Sequence, residues 1–189
     1  MSSSATFLDP VVVPLIAGEV AWAYHGRLER LPLKMTNTNP SSADDWRRHL
    51  LETPEEITAL LGRVHTIAVL GIKPGDDPHQ PAFAVPRHAQ LAGYRIIPVP
   101  VYFPDVTTIL GETVYRTISA IPGVVDLVDV FRKPSDIPPH VDDIIAKHPS
   151  AVWFQLGIRN DTAAERLARA GIDVVQDKCV EQELQKRGR

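Results

Sequence analysis

Beyond residue 42 the chain alternates short unbroken apolar runs with longer stretches whose apolar residues recur three or four apart. The runs have strand length, and the stretches have helical periodicity. Trp46, Leu50 and Leu51 mark one helical face, and Thr53-Pro54-Glu55-Glu56 then opens a helix. Threonine caps the first turn, proline sits where no amide donor is needed, and Glu56 can reach back to the cap. Ile57, Leu60 and Leu61 supply the buried side. Thr66–Leu70 reads as a first strand ending in Gly71, and residues 83–92 read as a helix stopped by Gly93. Pro86 falls inside that helix and should shorten or kink it. Arg95–Val99 is the second strand, with Pro98 near its end. A short helical turn is expected over Tyr115–Ile121, then a third strand over Val124–Phe131 and a helix over residues 139–147. Ala151–Leu156 is the fourth strand. Asp161–Ala170 is an amphipathic helix, capped by Asn160 or Asp161 and closed by Gly171. Ile172–Gln176 is the fifth strand, and Val180–Lys186 the last helix.

Strands alternating with helices over short connections predict an α/β fold, a doubly wound, five-stranded parallel sheet of Rossmann-like type. Ile67–Leu70 and Val152–Leu156 are nearly continuous apolar runs, as strands covered on both faces require. In such folds a ligand lies at the carboxyl ends of the strands, at the switch point. The expected domain spans residues 41–189. Residues 1–40 read as an N-terminal extension: a Ser-rich start, an apolar run from Val11 to Ala23 without a clean period, then Met35-Thr-Asn-Thr-Asn-Pro40. Two readings fit it, an upstream stretch before a natural start at Met35 or an arm packed on the domain or a partner subunit.

The chain has 189 residues, 44% of them hydrophobic, with 20 basic against 23 acidic side chains and a net charge of -3. That balance argues against nucleic acid or an anionic membrane surface as partner. Val11–Ala23 holds Pro14 and Glu19 and is too short to span a bilayer, so a soluble cytoplasmic protein is expected. A single cysteine, Cys179, excludes an internal disulfide and a cysteine-rich zinc site. The seven histidines show no ligand spacing, and no nucleophile–base arrangement stands out, so no enzyme is expected.

The strand ends carry the candidate chemistry. Gly71-Ile72-Lys73 after the first strand, followed by a helix, is an anion site if the amides are free, and an ordinary turn if they are not. The second strand ends in Pro98-Val99-Pro100 with no carboxylate before Asp105. Dinucleotide folds place an acid there for the ribose. Its absence argues against NAD, and the apolar end suits an adenine ring. Phe131-Arg132-Lys133 puts two cations beside an aromatic ring at the third strand's end, a phosphate site or a solvated basic loop. Gly157 closes the fourth strand.

These residues resemble the stand-alone CoA-binding domain family, Rossmann-like proteins similar to the CoA-binding domain of the succinyl-CoA synthetase alpha subunit. The resemblance runs from about His65 to Lys186. It rests on Thr66-Ile-Ala-Val-Leu-Gly71, Gly93-Tyr-Arg-Ile-Ile-Pro-Val99, Val128-Asp-Val-Phe-Arg132, Val152-Trp-Phe-Gln-Leu-Gly157 and Gln176-Asp-Lys-Cys179. It implies coenzyme A, or an acyl-CoA, lying across the strand ends with its phosphates on the first loop and helix. Gly71, Pro98, Val99, Phe131, Arg132 and Gly157 match the family's positions, and Lys133 is a local addition. Ile72 stands where a small or hydroxyl residue is usual, and Ala82 where a serine opens the helix. Two hydroxyl contacts of about 1 kcal/mol each are then missing. The leading expectation is a non-catalytic CoA-binding or sensing module with a small nucleotide ligand. The alternatives are an NAD(P)-binding oxidoreductase or redox sensor, and a partner-binding protein whose nucleotide site has decayed. Cys179, beside Lys178, is either a half-buried structural thiol, the favoured reading, or a partner for the CoA thiol in a mixed disulfide.

Overall fold

Helix α1 (Pro54–Arg63) begins on the cap its sequence encodes. Thr53 Oγ1 accepts from the Glu56 amide at 3.3 Å, and the Glu56 carboxylate accepts from the amides of Thr53 and Glu52. The structure, a computed structural model, describes residues 40–187 except Asp76 and Pro78, with backbone alone for residues 40–44. The N-terminal extension therefore lies outside the described residues. From α1 the chain runs through β1 (Thr66–Leu70), α2 (Pro81–Leu91) and β2 (Arg95–Val99). A small hairpin of β3 (Thr108–Ile109) and β4 (Glu112–Thr113) follows, then β5 (Leu127–Val130) and α3 (Val141–Lys147). The last elements are β6 (Ala151–Phe154), α4 (Asp161–Arg169), β7 (Asp173–Val175) and α5 (Val180–Lys186).

Five strands form one parallel sheet in the order β2-β1-β5-β6-β7. Alternate residues face opposite sides, and both sides are dry. Ile67, Val69, Leu127 and Trp153 pack with α1, α2 and α5; Ala68, Leu70, Val128, Val130, Val152 and Phe154 pack with α3 and α4. This double coverage is why the strands read as apolar runs. From β1 the chain goes outward to β2, then returns across β1 to β5, so the switch point lies between the carboxyl ends of β1 and β5.

Several elements differ from the sequence expectation, each for a visible reason. Residues 40–49 form a 3-10 helix, and Leu50 leaves it to bridge Val174, with the Leu51 amide on the Val174 carbonyl at 2.9 Å. The segment thus covers the open edge of β7. Asp173 holds it there, with one carboxylate oxygen 2.7 Å from His49 Nδ1 and the other accepting from Arg63 at 2.6 Å. Helix α2 runs unbroken through Pro86, because the carbonyl that proline leaves free, that of Ala82, accepts the Lys73 amide at 3.3 Å. Tyr115–Ile121 is turns rather than helix; Asp143 of α3 takes the Ile118 and Ser119 amides at 2.6 and 3.1 Å. The third sheet strand starts at Leu127, and Val124 is exposed. The β3–β4 hairpin, unforeseen in the sequence, turns on Leu110 and Gly111, both at positive φ.

Gly71 is a point of close backbone approach. Its φ is +89°, and a Cβ there would lie 2.6 Å from the Phe131 carbonyl oxygen and 3.0 Å from Arg132 Cδ. Left-handed strain and overpacking together make Gly71→Ala cost about 2–4 kcal/mol. Urea denaturation should show this loss, and a variant within 0.5 kcal/mol of wild type, roughly the spread of neutral surface changes, would contradict the crowding.

Candidate functional site

The residues that meet at the switch point come from β1, β2 and β5. Gly71 ends β1, and its amide donates to the Val99 carbonyl at 2.8 Å; the Phe131 amide beyond β5 donates to the Leu70 carbonyl at 2.8 Å. These bonds carry the parallel ladder one residue past each strand. The space in front of Gly71 is filled by the chain itself, since Arg132 lies across it. Glycine is therefore required by the close approach of β5, not kept open for a ligand.

Arg132 is the centre of the site. Its side chain is only 12% exposed, its guanidinium sits 5.1 Å from the centroid of the Tyr102 ring, and one terminal nitrogen donates to Asp136 at 3.2 Å. Its Nε–H is buried with no protein partner. A buried donor without an acceptor is costly and uncommon. His140 stands nearby; burial first, and the Arg132 charge second, hold its imidazole below the ordinary histidine value. Lys133 is exposed beside this cluster.

The end of β2 divides into a buried and an exposed part. Pro98, Val99 and Pro100 are buried. Pro98 faces away from β1, where its missing amide costs nothing to the ladder, and its carbonyl accepts from Tyr115 at 2.9 Å. Val101, Tyr102 and Phe103 then emerge at the surface, Tyr102 with 59% exposure. Phe103 takes a φ of +68°, and Arg116 fastens this loop by donating to the carbonyls of Phe103, Pro104 and Val106 at 3.2, 2.7 and 2.5 Å.

The first loop is less open than its sequence suggests. The Ile72 side chain is buried in the core beneath α2, Ala82 is buried, and the Lys73 amide is spent on the Ala82 carbonyl. Lys73 contributes its partly exposed side chain instead. At the end of β6, Gly157 is exposed with φ +79°, and its amide donates to Asp177 at 2.7 Å. The structure thus gathers Gly71, Phe131 and Arg132 at the switch point. It buries Ile72, Ala82, Pro98, Val99 and Pro100, and it adds Tyr102 and Asp136, which the sequence reading did not name. An aromatic residue three positions past the end of β2 was the available signal for Tyr102.

A second feature was legible only as an acid inside an apolar strand. Asp129 and Gln155 are buried side by side on the face covered by α1, α2 and α5. Gln155 Nε2 donates to Asp129 Oδ1 at 2.7 Å, and Gln155 Oε1 accepts from the Val180 amide at 3.4 Å, tying β5 and the end of β6 to the start of α5. Burial pushes the Asp129 carboxyl up to about 7 despite the Gln155 hydrogen bond, which acts in the opposite sense. Cys179, the residue before α5, is half-buried against the same core. Among the described residues no group of three or more His, Cys, Asp or Glu could hold a metal, and no helix is long and apolar enough to cross a membrane. A cleft of about 510 Å³ opens between α1 and α5, lined by Ile57, Leu61, Lys178 and Arg187 among others; no switch-point residue borders it.

The profile of the CoA binding domain matches residues 65–185. The chain belongs to the CoA-binding domain family. The uncharacterized protein YneT of Bacillus subtilis (strain 168) is 32% identical over 125 residues, 66% of this chain and 89% of its own length. The Thermus thermophilus structure of cell-free ID.343 shares 36% identity at a TM-score of 0.64, over 71% of this chain and 98% of that one. A hypothetical protein from Pyrococcus horikoshii OT3 shares 30% identity at 0.65, over 71% and 92%. The CoA-binding domain match begins at the start of β1 and takes in the whole sheet, while α1 and the segment before it lie outside.

The buried acid gives this CoA-binding domain a pH dependence with a definite sign. The native state holds the Asp129 proton more tightly than the unfolded chain does, so its contribution to stability is full below pH 3.8 and lost as pH rises through about 7. Asp129→Asn keeps a neutral acceptor for Gln155 and removes that loss. The stability of wild type relative to Asp129→Asn should fall by roughly 1 kcal/mol per pH unit between pH 4 and 7 and level off above about pH 8. Urea midpoints across that range measure it; a pH-independent gap would contradict the buried neutral acid.

Proposed function

We propose that this chain binds coenzyme A, free or acylated, across the carboxyl ends of β1, β2 and β5, as a binding or sensing module without a catalytic step of its own. The observation that carries the reading is the state of Arg132 at the switch point. Its guanidinium carbon lies over the Tyr102 ring at 5.1 Å, one terminal nitrogen donates to Asp136 at 3.2 Å, and its Nε–H is buried and unpaired. Arginine can stack by its face and pair with phosphate oxygens by its edge at the same time. A phosphate would satisfy the orphaned donor, and Lys73 and Lys133 would add charge on either side. The residues present therefore fit the phosphate-bearing half of the ligand.

The end of β2 supports CoA over a dinucleotide. Pro98, Val99 and Pro100 are buried there, and no carboxylate stands in the place where a ribose would be held. One observation favours a second reading, a decayed nucleotide site used for partner binding: the amides of Gly71, Lys73 and Gly157 are all satisfied internally. On the CoA reading, phosphate recognition falls to side chains, chiefly Arg132, rather than to backbone amides.

Calorimetric titration of the nucleotide-stripped chain with CoA, then NADP, tests this. Micromolar CoA binding is expected, weakened about 10- to 100-fold by Arg132→Ala, the range of a lost charge-assisted hydrogen bond. Absence of CoA binding, or CoA binding indifferent to Arg132→Ala, would overturn the reading. Binding of NADP alone would move the protein to the redox class.

A further inference from the structure

We infer that His140 makes anion binding at the switch point proton-linked: an anion seated on Arg132 draws a proton onto the His140 imidazole, so the ligand binds more tightly as pH falls. The inference rests on the CoA reading and deepens it by naming how that site is regulated. It stands first on the arrangement of four side chains. Pro134–Asp136 and Pro138–His140 are turns of 3-10 helix that lead straight into α3, and Ile137 between them is helical too. Asp136, His140 and Asp143, four and three residues apart, therefore share a face. Asp136 accepts from Arg132 at 3.2 Å and from Ser135 at 3.1 Å, while Asp143 accepts from the amides of Ile118 and Ser119. The imidazole between these two carboxylates is half-buried and makes no hydrogen bond to any described residue. His140 thus sits beside the one cation proposed to hold the ligand, with both ring nitrogens uncommitted.

The charges that face the imidazole are Arg132 from the end of β5, Asp143 from α3 and Asp136 from the turn between them. The Ile118–Ser119 turn that Asp143 holds adds no charged side chain. Burial and then Arg132 disfavour the imidazolium, while Asp143 and Asp136 favour it. In the free chain the first pair prevails and holds His140 below the ordinary histidine value. An anion on Arg132 reverses that balance. It offsets the repelling charge, adds an attracting one and competes with Asp136 for the guanidinium. Protons taken up on binding make affinity rise as pH falls, and the coupling is reciprocal. The rise starts where His140 of the complex titrates and ends below the titration of the free chain. Asp129, which also titrates near neutrality, lies on the other face of the sheet with α1, α2 and α5 and takes no part in this cluster.

Two measurements test it. The first follows the His140 ring protons by NMR as pH is varied, in the free chain, in the CoA complex and in ligand-free Arg132→Ala. CoA and Arg132→Ala should each move the His140 titration upward. The second is calorimetry of CoA binding to wild type and His140→Gln between pH 5.5 and 8, in two buffers of different ionisation enthalpy. The phosphates of CoA titrate with both proteins and cancel in the comparison. Wild type should take up more protons on binding than His140→Gln. Its affinity relative to that variant should rise about threefold to tenfold from pH 8 to pH 5.5, since one proton allows at most about tenfold per pH unit. His140 lies outside the buried core, and circular dichroism verifies the fold of the variant. A His140 titration indifferent to Arg132→Ala would overturn the inference whether or not CoA binds. CoA binding that needs Arg132 but leaves the His140 titration and the proton uptake unchanged would overturn it and leave the CoA reading standing. So would a His140→Gln variant that loses the same affinity at every pH, the mark of a merely structural role. Absence of CoA binding to wild type would overturn both.

Discussion

The architecture of the switch point depends on residue 71 having no side chain. The Phe131 carbonyl lies where a Cβ would be, and Arg132 crosses directly in front. Only this contact allows β5 to approach β1 closely enough for the ladder to extend past both strand ends. It also determines where the guanidinium goes. Laid across Gly71, Arg132 spans the width of β1 and reaches Tyr102 at the end of β2, so one cation links three strands. The proposed recognition of phosphate follows from that placement rather than from a glycine-rich anion loop.

A second constraint lies beneath the first. Asp129 and Gln155 form a buried polar link in a sheet that is otherwise apolar, and it extends to the first amide of α5. A buried acid held by the Gln155 side chain and the Val130 backbone, with no cation beside it, is tolerated while it keeps its proton. Its position, one residue before the end of β5, places it near the carboxyl end of the sheet. Both residues lie in the segments, Asp129 in Val128–Arg132 and Gln155 in Val152–Gly157, through which the chain resembles its family. The polar link and the switch point are thus set by the same two short stretches.

The sheet was legible because its signals are local. Doubly covered strands must be apolar on both faces, and Thr53 with Glu56 and Asn160 with Ala163 satisfy helix ends within a few residues. What escaped were features settled by distant partners. Asp143 turns Ile118 and Ser119 away from a helix, and the Lys73 amide lets α2 continue through Pro86. The same holds for the site. Arg132 and Gly71 could be named from their strand-end positions, but not that they touch. Ile72 and Val99 were named for their sequence positions, yet the alternation of faces carries their side chains into the core. Tyr102 and Asp136 became visible only once the chain had brought them to Arg132.

On the proposed reading, CoA sits on the carboxyl ends of β1, β2 and β5. Backbone amide NMR of the full chain, titrated with CoA, tests it most directly. The largest shifts are expected at Gly71–Lys73, Val101–Phe103 and Phe131–Lys133, with the amides lining the α1–α5 cleft, such as Ile57, Leu61 and Arg187, unmoved. Shifts concentrated at that cleft, with the strand ends silent, would contradict it.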